Sequence, residues 1–204
     1  MKIQPELLLR TYAAGIFPMA EHRHAPNLFW VNPQFRGILP LDRFHVPRRL
    51  RRTLQKNRFQ ITADRAFEAV IRACSESTPE RPDSWINGTI IEIYCALHRA
   101  GHAHSIECWR EDRLVGGLYG VALGGAFFGE SMFSRETDAS KAALVHLVSR
   151  LRRGGFELLD AQFVTDHLRQ FGAVEISQAE FHVRLTQALK RNARFHPDPE
   201  ETAG

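Results

Sequence analysis

Residues 105–133, from Ser105 to Phe133, decide the fold, and they read SIECWREDRLVGGLYGVALGGAFFGESMF. The hydrophobic pattern has a period of two over residues 105–110, 114–123 and 126–133, as in half-buried strands. Residues 111–113 and the pair Gly124-Gly125 separate these segments, and both are typical of tight turns. The stretch therefore predicts three consecutive antiparallel strands.

Helical periodicity flanks these strands on both sides. Helices are predicted over residues 5–14, 63–74, 89–100, 139–153 and 178–189. Asp138 and Ser177 precede the last two helices as capping residues. Strands are predicted over residues 59–62 and 156–164, whereas the proline-containing residues 19–47 and the polar residues 191–204 are expected to be irregular. The predicted fold class is α+β, with a central, mostly antiparallel sheet.

The composition is that of a folded chain without a membrane or secretory segment. Of the 204 residues 44% are hydrophobic, which is enough for one sizeable core and a small second lobe. No run of about eighteen apolar residues occurs, and the N-terminus lacks an apolar signal stretch, so we expect a cytoplasmic protein with no membrane partner. The cysteines, Cys74, Cys95 and Cys108, have no CxxC spacing and are expected to be reduced core residues.

Positive charge is concentrated within residues 48–58. This basic cluster comprises Arg48, Arg49, Arg51, Arg52, Lys56 and Arg58, with no acidic residue among them. Such clusters neutralise phosphates, so one interpretation is a polyanionic partner. The other interpretation is an ordinary solvated helix face, which charge runs usually are.

One carboxylate interrupts the third predicted strand, where Glu130 follows Phe127-Phe128-Gly129. A strand position among aromatic and small residues is unusual for an acidic side chain. One interpretation is an edge position or an ion pair with an arginine that faces the core. The other is a functional carboxylate that is held in an apolar pocket to bind a cation or to manage a proton.

A second polar pair lies in the predicted strand 156–164. Because strand side chains alternate, Asp160 and Gln162 should project from one face while Leu159 and Ala161 pack the other. The pair is either a structural hydrogen-bond pair or part of a site. His102 and His104 do not predict a metal centre, because zinc sites normally need three or four protein ligands.

Several segments together resemble the leucyl/phenylalanyl-tRNA–protein transferase family. The matching segments are residues 12–18, 101–107, 114–121, 129–134 and 139–141, together with Asp160, Gln162, Asp166 and His167. The resemblance covers nearly the whole chain, and the joint occurrence of these segments in one order is highly specific. It implies a small N-terminal lobe over residues 1–35 and a GNAT-type acyltransferase domain over residues 36–204.

The resemblance also implies an activity. Family members transfer Leu, Phe and sometimes Met from aminoacyl-tRNA to proteins that begin with Arg or Lys, and this marks those proteins for degradation. Neither a metal nor a nucleotide cofactor is expected, and no Gly-rich phosphate loop of the kind that binds coenzyme A occurs in the sequence. On this resemblance the chain also begins without the N-terminal extension of longer relatives.

The site residues carried over from the family fall into three groups. Donor side chains are expected in an apolar pocket that includes Leu118, Phe127, Leu144 and Leu159. The terminal adenosine is expected near Trp85, Tyr94 and Met19, the last standing where relatives have Trp. Trp85 and Tyr94 are alternatively ordinary core residues.

Three polar residues are expected to act on the reacting groups. Asp160 is the candidate to accept the proton of the attacking amine or to hold that amine, and Gln162 is expected to orient the amine or the intermediate. Glu130 would hold the cationic acceptor or fix the network, and the tRNA ribose hydroxyl is an alternative proton carrier. Two rivals remain, a non-catalytic RNA-binding module and an ordinary acyl-CoA transferase.

Overall fold

The computed structural model of the protein describes residues 3–78 and 82–196, and its centre is a seven-stranded sheet. The strand order is β4-β5-β6-β7-β8-β3-β9, and every neighbouring pair is antiparallel except β7 and β8. The strands of this sheet are β3 (Phe35–Ile38), β4 (Gln60–Ala63), β5 (Ala103–Arg110), β6 (Arg113–Leu123), β7 (Ala126–Ser134), β8 (Leu158–Gln162) and β9 (Val174–Ser177). The prediction of a mixed fold with a mostly antiparallel sheet is confirmed.

The three predicted strands form the middle of the sheet as β5, β6 and β7. The turn between β5 and β6 has Glu111 and Asp112 at φ 50° and 58°, which is the left-handed pair that a two-residue hairpin turn requires. Residues Phe127 and Phe128 are both fully buried but on opposite faces of the sheet, as the period of two predicts.

Helices cover both faces of the sheet. The helices are α1 (Pro5–Ala13), α2 (Arg48–Gln55), α3 (Phe67–Ser75), α4 (Gly88–Arg99), α5 (Ala139–Arg153), α6 (Asp166–Arg169) and α7 (Gln178–Ala188). Apolar side chains of α1, α3, α4 and α7 join the core on the face of Phe128, whereas α5 packs on the face of Phe127. Among the described residues, no helix has the length and apolar character needed to cross a membrane.

Residues 19–47 are not irregular throughout, so that prediction is wrong in part. They contain β2 (Phe29–Val31), which pairs with β1 (Phe17–Met19) in a separate two-stranded sheet, and they contain β3. Strand β3 lies between β8 and β9 and is largely buried. It has four residues, two of which are Arg36 and Gly37, so it carries no alternating pattern and is stabilised by its tertiary pairing.

Several element boundaries also differ from the predictions. Helix α3 begins at Phe67 because β4 continues to Ala63 and Asp64 turns left-handed at φ 60°. Strand β8 covers only Leu158–Gln162 of the predicted residues 156–164, and Gln162 at φ 61° ends it. Helix α6 and strand β9 are short elements that the sequence did not predict.

The two predicted caps differ in outcome. The Ser177 hydroxyl accepts the Glu180 N–H, as predicted for α7. Asp138 makes no capping bond, since it sits at φ 71° and its carboxylate binds Lys141 and Thr53 instead.

The predicted polar tail is ordered in its first part. Phe195 is buried, so the expectation of a frayed tail is wrong for that residue, while residues 197–204 lie outside the described part of the chain. All three cysteines are buried and lie outside any disulfide bond in the described part of the chain, as predicted.

Gly37 allows β3 to approach the chain that leaves β8. A Cβ atom at this position would lie 2.7 Å from the Phe163 carbonyl carbon and 2.9 Å from the Val164 nitrogen.

Both are backbone atoms, so Gly37→Ala should lower the free energy of unfolding by about 1 to 3 kcal/mol, measured by urea denaturation. The control is Gly88→Ala, because nothing lies within 4 Å of that added atom. Equal urea midpoints for the two variants would show that β3 is not held this tightly.

Candidate active site

A cavity of about 470 Å³ opens where β7 and β8 separate. The two strands pair only from Ala126/Leu158 to Phe128/Asp160, and the residues beyond these positions line the cavity. The volume is in the usual range for small-molecule sites. The lining includes a polar group of Glu130, Asp160 and Gln162 and an apolar group of Leu39, Leu118, Met132, Leu144, Leu147 and Leu159.

Glu130 is the centre of a buried hydrogen-bond network. Its carboxylate accepts hydrogen bonds from the Tyr12 hydroxyl at 2.6 Å, the Gln162 Nε2 at 3.0 Å and the Tyr94 hydroxyl at 3.2 Å. The hydroxyl oxygens of Tyr12 and Tyr94 are also in contact with each other, so their two protons are shared among three hydrogen-bond contacts. The network joins α1 and α4 to two strands of the sheet.

Burial raises the pKa of Glu130 from 4.5 to about 7. Hydrogen bonds from Tyr12 and Gln162 act in the opposite direction, and the nearby charge of Asp160 adds to the rise. A carboxyl group with a pKa near neutrality can both take up and release a proton under physiological conditions. Glu130 therefore has the acid–base properties of a proton-transfer group.

Asp160 is held by Arg36, which was not among the predicted site residues. Arg36 Nε and Nη2 donate to Asp160 Oδ1 and Oδ2 at 2.9 and 2.6 Å, and the two side chains are 2% and 0% exposed. Asp160 Oδ1 also accepts the Gln162 backbone N–H at 2.8 Å. Both carboxylate oxygens are thus occupied in the structure.

One interpretation of Glu130 was an ion pair with an arginine that faces the core. The structure has such an ion pair, but its carboxylate is Asp160. Asp160 also bonds the backbone N–H of Gln162, whereas the Gln162 side chain bonds Glu130, so the two side chains do not form the hydrogen-bond pair that was one interpretation of this strand. Arg36 was missed because it lies in a segment that was expected to be irregular. Its one sequence signal is a single arginine before the apolar run Ile38-Leu39.

Two family models match this chain over most of its length. One, described as leucyl/phenylalanyl-tRNA protein transferase, matches residues 38–186, and the corresponding N-terminal domain matches residues 1–34. The chain belongs to the leucyl/phenylalanyl-tRNA protein transferase family.

Members of this family are similar to this chain over most of their length. The leucyl/phenylalanyl-tRNA–protein transferase of Paramagnetospirillum magneticum is 62% identical over 190 residues, which are 93% of this chain and 91% of that protein. The one from Hyphomonas neptunium is 57% identical over 205 residues, covering 98% and 80%. The crystal structure of FemX, at 11% identity and a TM-score of 0.55 over 86% of this chain and 68% of that chain, shares the fold.

The structure distributes the predicted donor and adenosine residues of the transferase family unevenly. Leu118, Leu144 and Leu159 line the cavity, and Met19 and Trp85 lie on its wall. Two other predicted residues lie outside the cavity lining. The Phe127 ring packs against Phe156 and Phe195, and the Tyr94 ring lies edge-on to Tyr119 with its hydroxyl on Glu130.

The basic cluster lies on the surface, with α2 anchored by Leu50. All six basic side chains are exposed. The Thr53 hydroxyl of α2 donates a hydrogen bond at 3.2 Å to Asp138, the residue directly before α5. Ser140, in the first turn of α5, lines the cavity. This contact holds α2 beside the end of α5 that faces the cavity.

His104 belongs to a second polar cluster with Asp64 and His196. The Asp64 Oδ2 atom lies 2.7 Å from His104 Nδ1 and 2.6 Å from His196 Nε2, and three such groups could hold a metal ion. Arg150 Nη1 lies 3.2 Å from His196 Nδ1 and donates to it, so the histidine proton resides on Nε2, which then donates to Asp64. A metal ligand needs that nitrogen free, so the arrangement favours a hydrogen-bonded anchor for the segment at Phe195.

A substitution at Met19 tests whether this part of the cavity wall contacts the adenosine of an aminoacyl-tRNA. An aromatic ring that stacks on a base contributes about 1 to 3 kcal/mol, and a thioether contributes less. Met19→Trp should therefore lower the dissociation constant of a short aminoacyl-adenosine analogue by about fivefold or more, measured by calorimetry. Intact aminoacyl-tRNA should respond less because phosphate contacts carry much of its affinity.

The control for this measurement is Trp85→Ala, which should weaken the analogue because Trp85 lies on the same wall. If Met19→Trp is stable and leaves the dissociation constant unchanged or higher, residue 19 does not stack on the base.

Proposed function

We propose that this chain transfers leucine, phenylalanine or methionine from aminoacyl-tRNA to the N-terminal Arg or Lys of acceptor proteins and so marks them for degradation. Its family membership supports the reaction class, and the buried carboxylate of Glu130 at an apolar cavity supports the chemistry. We assign residues 1–35 to an N-terminal lobe and residues 36–204 to a GNAT-type domain. The charged tRNA that serves as donor is cytoplasmic, and the proposal places the enzyme there.

The apolar part of the cavity would hold the donor side chain. Leu118, Leu144 and Leu159 provide aliphatic walls without a charged group, which suits leucine, phenylalanine or methionine. Such pockets discriminate weakly between side chains that differ by a methylene, because one methylene changes the free energy by about 1 to 3 kcal/mol. The terminal adenosine would then lie toward Met19 and Trp85 on the cavity wall.

The ester bond of the donor is already activated, so positioning and proton transfer are the main requirements. The acceptor α-amine attacks the ester carbonyl carbon, a C–N bond forms, and the ester C–O bond breaks. One proton leaves the amine and one proton reaches the departing ribose oxygen. A single group with a pKa near 7 can carry that proton in both steps.

Glu130 is the group that we assign to this proton transfer, in place of Asp160. Both oxygens of Asp160 are engaged by the Arg36 guanidinium, so Asp160 has no oxygen aimed at an amine in the cavity. Gln162 donates one amide hydrogen to Glu130, and its carbonyl oxygen can accept a hydrogen bond from the acceptor amine. The tRNA ribose hydroxyl is the alternative carrier, and the variant described next distinguishes the two.

The decisive assay incubates the protein with radiolabelled Phe-tRNA or Leu-tRNA and an acceptor protein that begins with Arg or Lys. We expect label in the acceptor, and none when its N-terminus is acetylated.

Below about pH 7 the logarithm of the single-turnover rate should rise with a slope approaching two, because Glu130 and the amine, with a pKa of about 7.8, must both be deprotonated. Glu130→Gln should be at least about tenfold slower, with a slope approaching one.

Stability provides the control for this variant. Folding raises the pKa of Glu130 from 4.5 to about 7, so the folded state holds this proton more tightly than the unfolded state. The free energy of unfolding therefore falls as the pH rises through this window, and Glu130→Gln removes the fall. The variant should be folded at pH 8, and a parent-like rate in the folded variant, with a slope near one in both proteins, would assign the proton to the tRNA ribose. Absence of any transfer by the parent would contradict the proposed function.

We also propose that the basic cluster binds the tRNA backbone without reading its sequence. Each lost phosphate contact should reduce the log–log salt slope of binding by roughly one unit. Replacing Arg51 and Arg52 together with Ala should weaken all aminoacyl-tRNAs alike and flatten the slope by about two units, measured by filter binding over a salt series. The control replaces Arg99 and Lys190, two exposed cations outside the cluster, with Ala. An equal change in both double variants would show that only net charge matters.

A further inference from the structure

We propose that Arg36 is a positioning residue for the transfer reaction and that it acts through Asp160 on Gln162 without touching either substrate. The inference rests on the proposed function, and it concerns a residue with no sequence motif around it. Its basis is a continuous chain of contacts from a fully buried guanidinium to the cavity.

Arg36 is fixed on every side. It is 1% exposed, and its Nη1 donates to the Gly15 carbonyl oxygen at 2.8 Å while the other two nitrogens bind Asp160. The guanidinium carbon lies 4.6 Å from the centre of the Phe17 ring and 4.4 Å from that of Phe181. Arg36 is not part of the cavity wall, so its influence on the reaction has to pass through Asp160.

The next contact is between Asp160 and the backbone of Gln162. Asp160 Oδ1 accepts two hydrogen bonds, one from Arg36 Nε and one from the Gln162 backbone N–H. Gln162 has φ 61°, a left-handed backbone conformation that residues other than glycine adopt at an energetic cost. Asp160 precedes Gln162 by two residues, and its hydrogen bond to the Gln162 N–H holds this conformation. A carboxylate that is fixed by two guanidinium bonds is a rigid acceptor for this purpose.

The last contact reaches the reacting groups. The left-handed turn at Gln162 brings its Nε2 to 3.0 Å from Glu130 Oε1. The titratable and polar groups that face Glu130 are Tyr12 from α1, Tyr94 from α4, and Asp160 and Gln162 from β8. Arg36 lies behind Asp160 and partly neutralises its charge.

Loss of the Arg36 contacts therefore has a defined direction. A loosened Gln162 removes a hydrogen bond that lowers the pKa of Glu130, and a less neutralised Asp160 raises that pKa further. Both effects move the acid limb of the rate profile to higher pH. A purely structural ion pair would change the amount of folded protein and leave this limb in place.

Two variants separate positioning from stability. Arg36→Lys keeps the positive charge beside Asp160, but an ammonium group has no planar fork to bind both oxygens. The double variant Arg36→Met with Asp160→Leu removes both charges together, so that no unpaired charge is buried. The control is Arg191→Gln with Glu157→Gln, which removes an exposed ion pair.

Two measurements apply to each folded variant. The first is transfer from Phe-tRNA, with kcat and KM determined across pH. The second is the titration midpoint of Glu130 from carboxyl-¹³C glutamate NMR, assigned by its absence in Glu130→Gln. For Arg36→Lys we expect a higher midpoint and an acid limb shifted by at least about half a pH unit. For the double variant we expect kcat at least about tenfold lower with KM within about twofold.

Arg36 is structural if Arg36→Lys leaves both the midpoint and the acid limb unchanged, or if the folded double variant keeps the kcat of the parent. If the double variant does not fold, Arg36→Lys decides the question. If the parent transfers nothing, the proposed function fails, and the NMR midpoint in Arg36→Lys still tests whether Arg36 positions Gln162 against Glu130.

Discussion

The buried ion pair between Arg36 and Asp160 links the N-terminal segment of this molecule to its central sheet. Arg36 belongs to β3 and binds the Gly15 carbonyl between α1 and β1, while Asp160 belongs to the neighbouring strand β8. A buried charge without a partner is strongly destabilising, whereas a fully hydrogen-bonded pair is tolerated. The pair therefore constrains the N-terminal segment and the central sheet to one mutual arrangement.

The site depends equally on a short parallel pairing within an otherwise antiparallel sheet. Strands β7 and β8 pair at three positions, which end at Phe128 and Asp160. Because the hydrogen-bond ladder stops there, the later residues of β7 diverge from β8 and leave room for a ligand. The ends of both strands thus supply polar groups to the same cavity, with aliphatic side chains of α5 on its wall.

Burial and hydrogen bonding oppose each other at Glu130, and burial is the stronger effect. Three donors stabilise its ionised form, yet its pKa rises to about 7. Asp160 has a buried position too, but the guanidinium of Arg36 satisfies its charge. These different surroundings agree with the two roles that we propose, a proton carrier for Glu130 and a fixed hydrogen-bond acceptor for Asp160.

The sequence alone determined the central strands and most helices, and it marked Glu130, Asp160 and Gln162 as polar residues in apolar strands, because periodicity and such residues are local signals. It could not predict β3, Arg36 or the contacts of Tyr12 and Tyr94 with Glu130. Strand β3 is four residues long and is stabilised by pairing with two distant strands, and Arg36 and Asp160 are 124 residues apart. Only the tertiary structure decided which buried carboxylate has a cation beside it, because long-range packing sets the partner, the desolvation and the pKa of each.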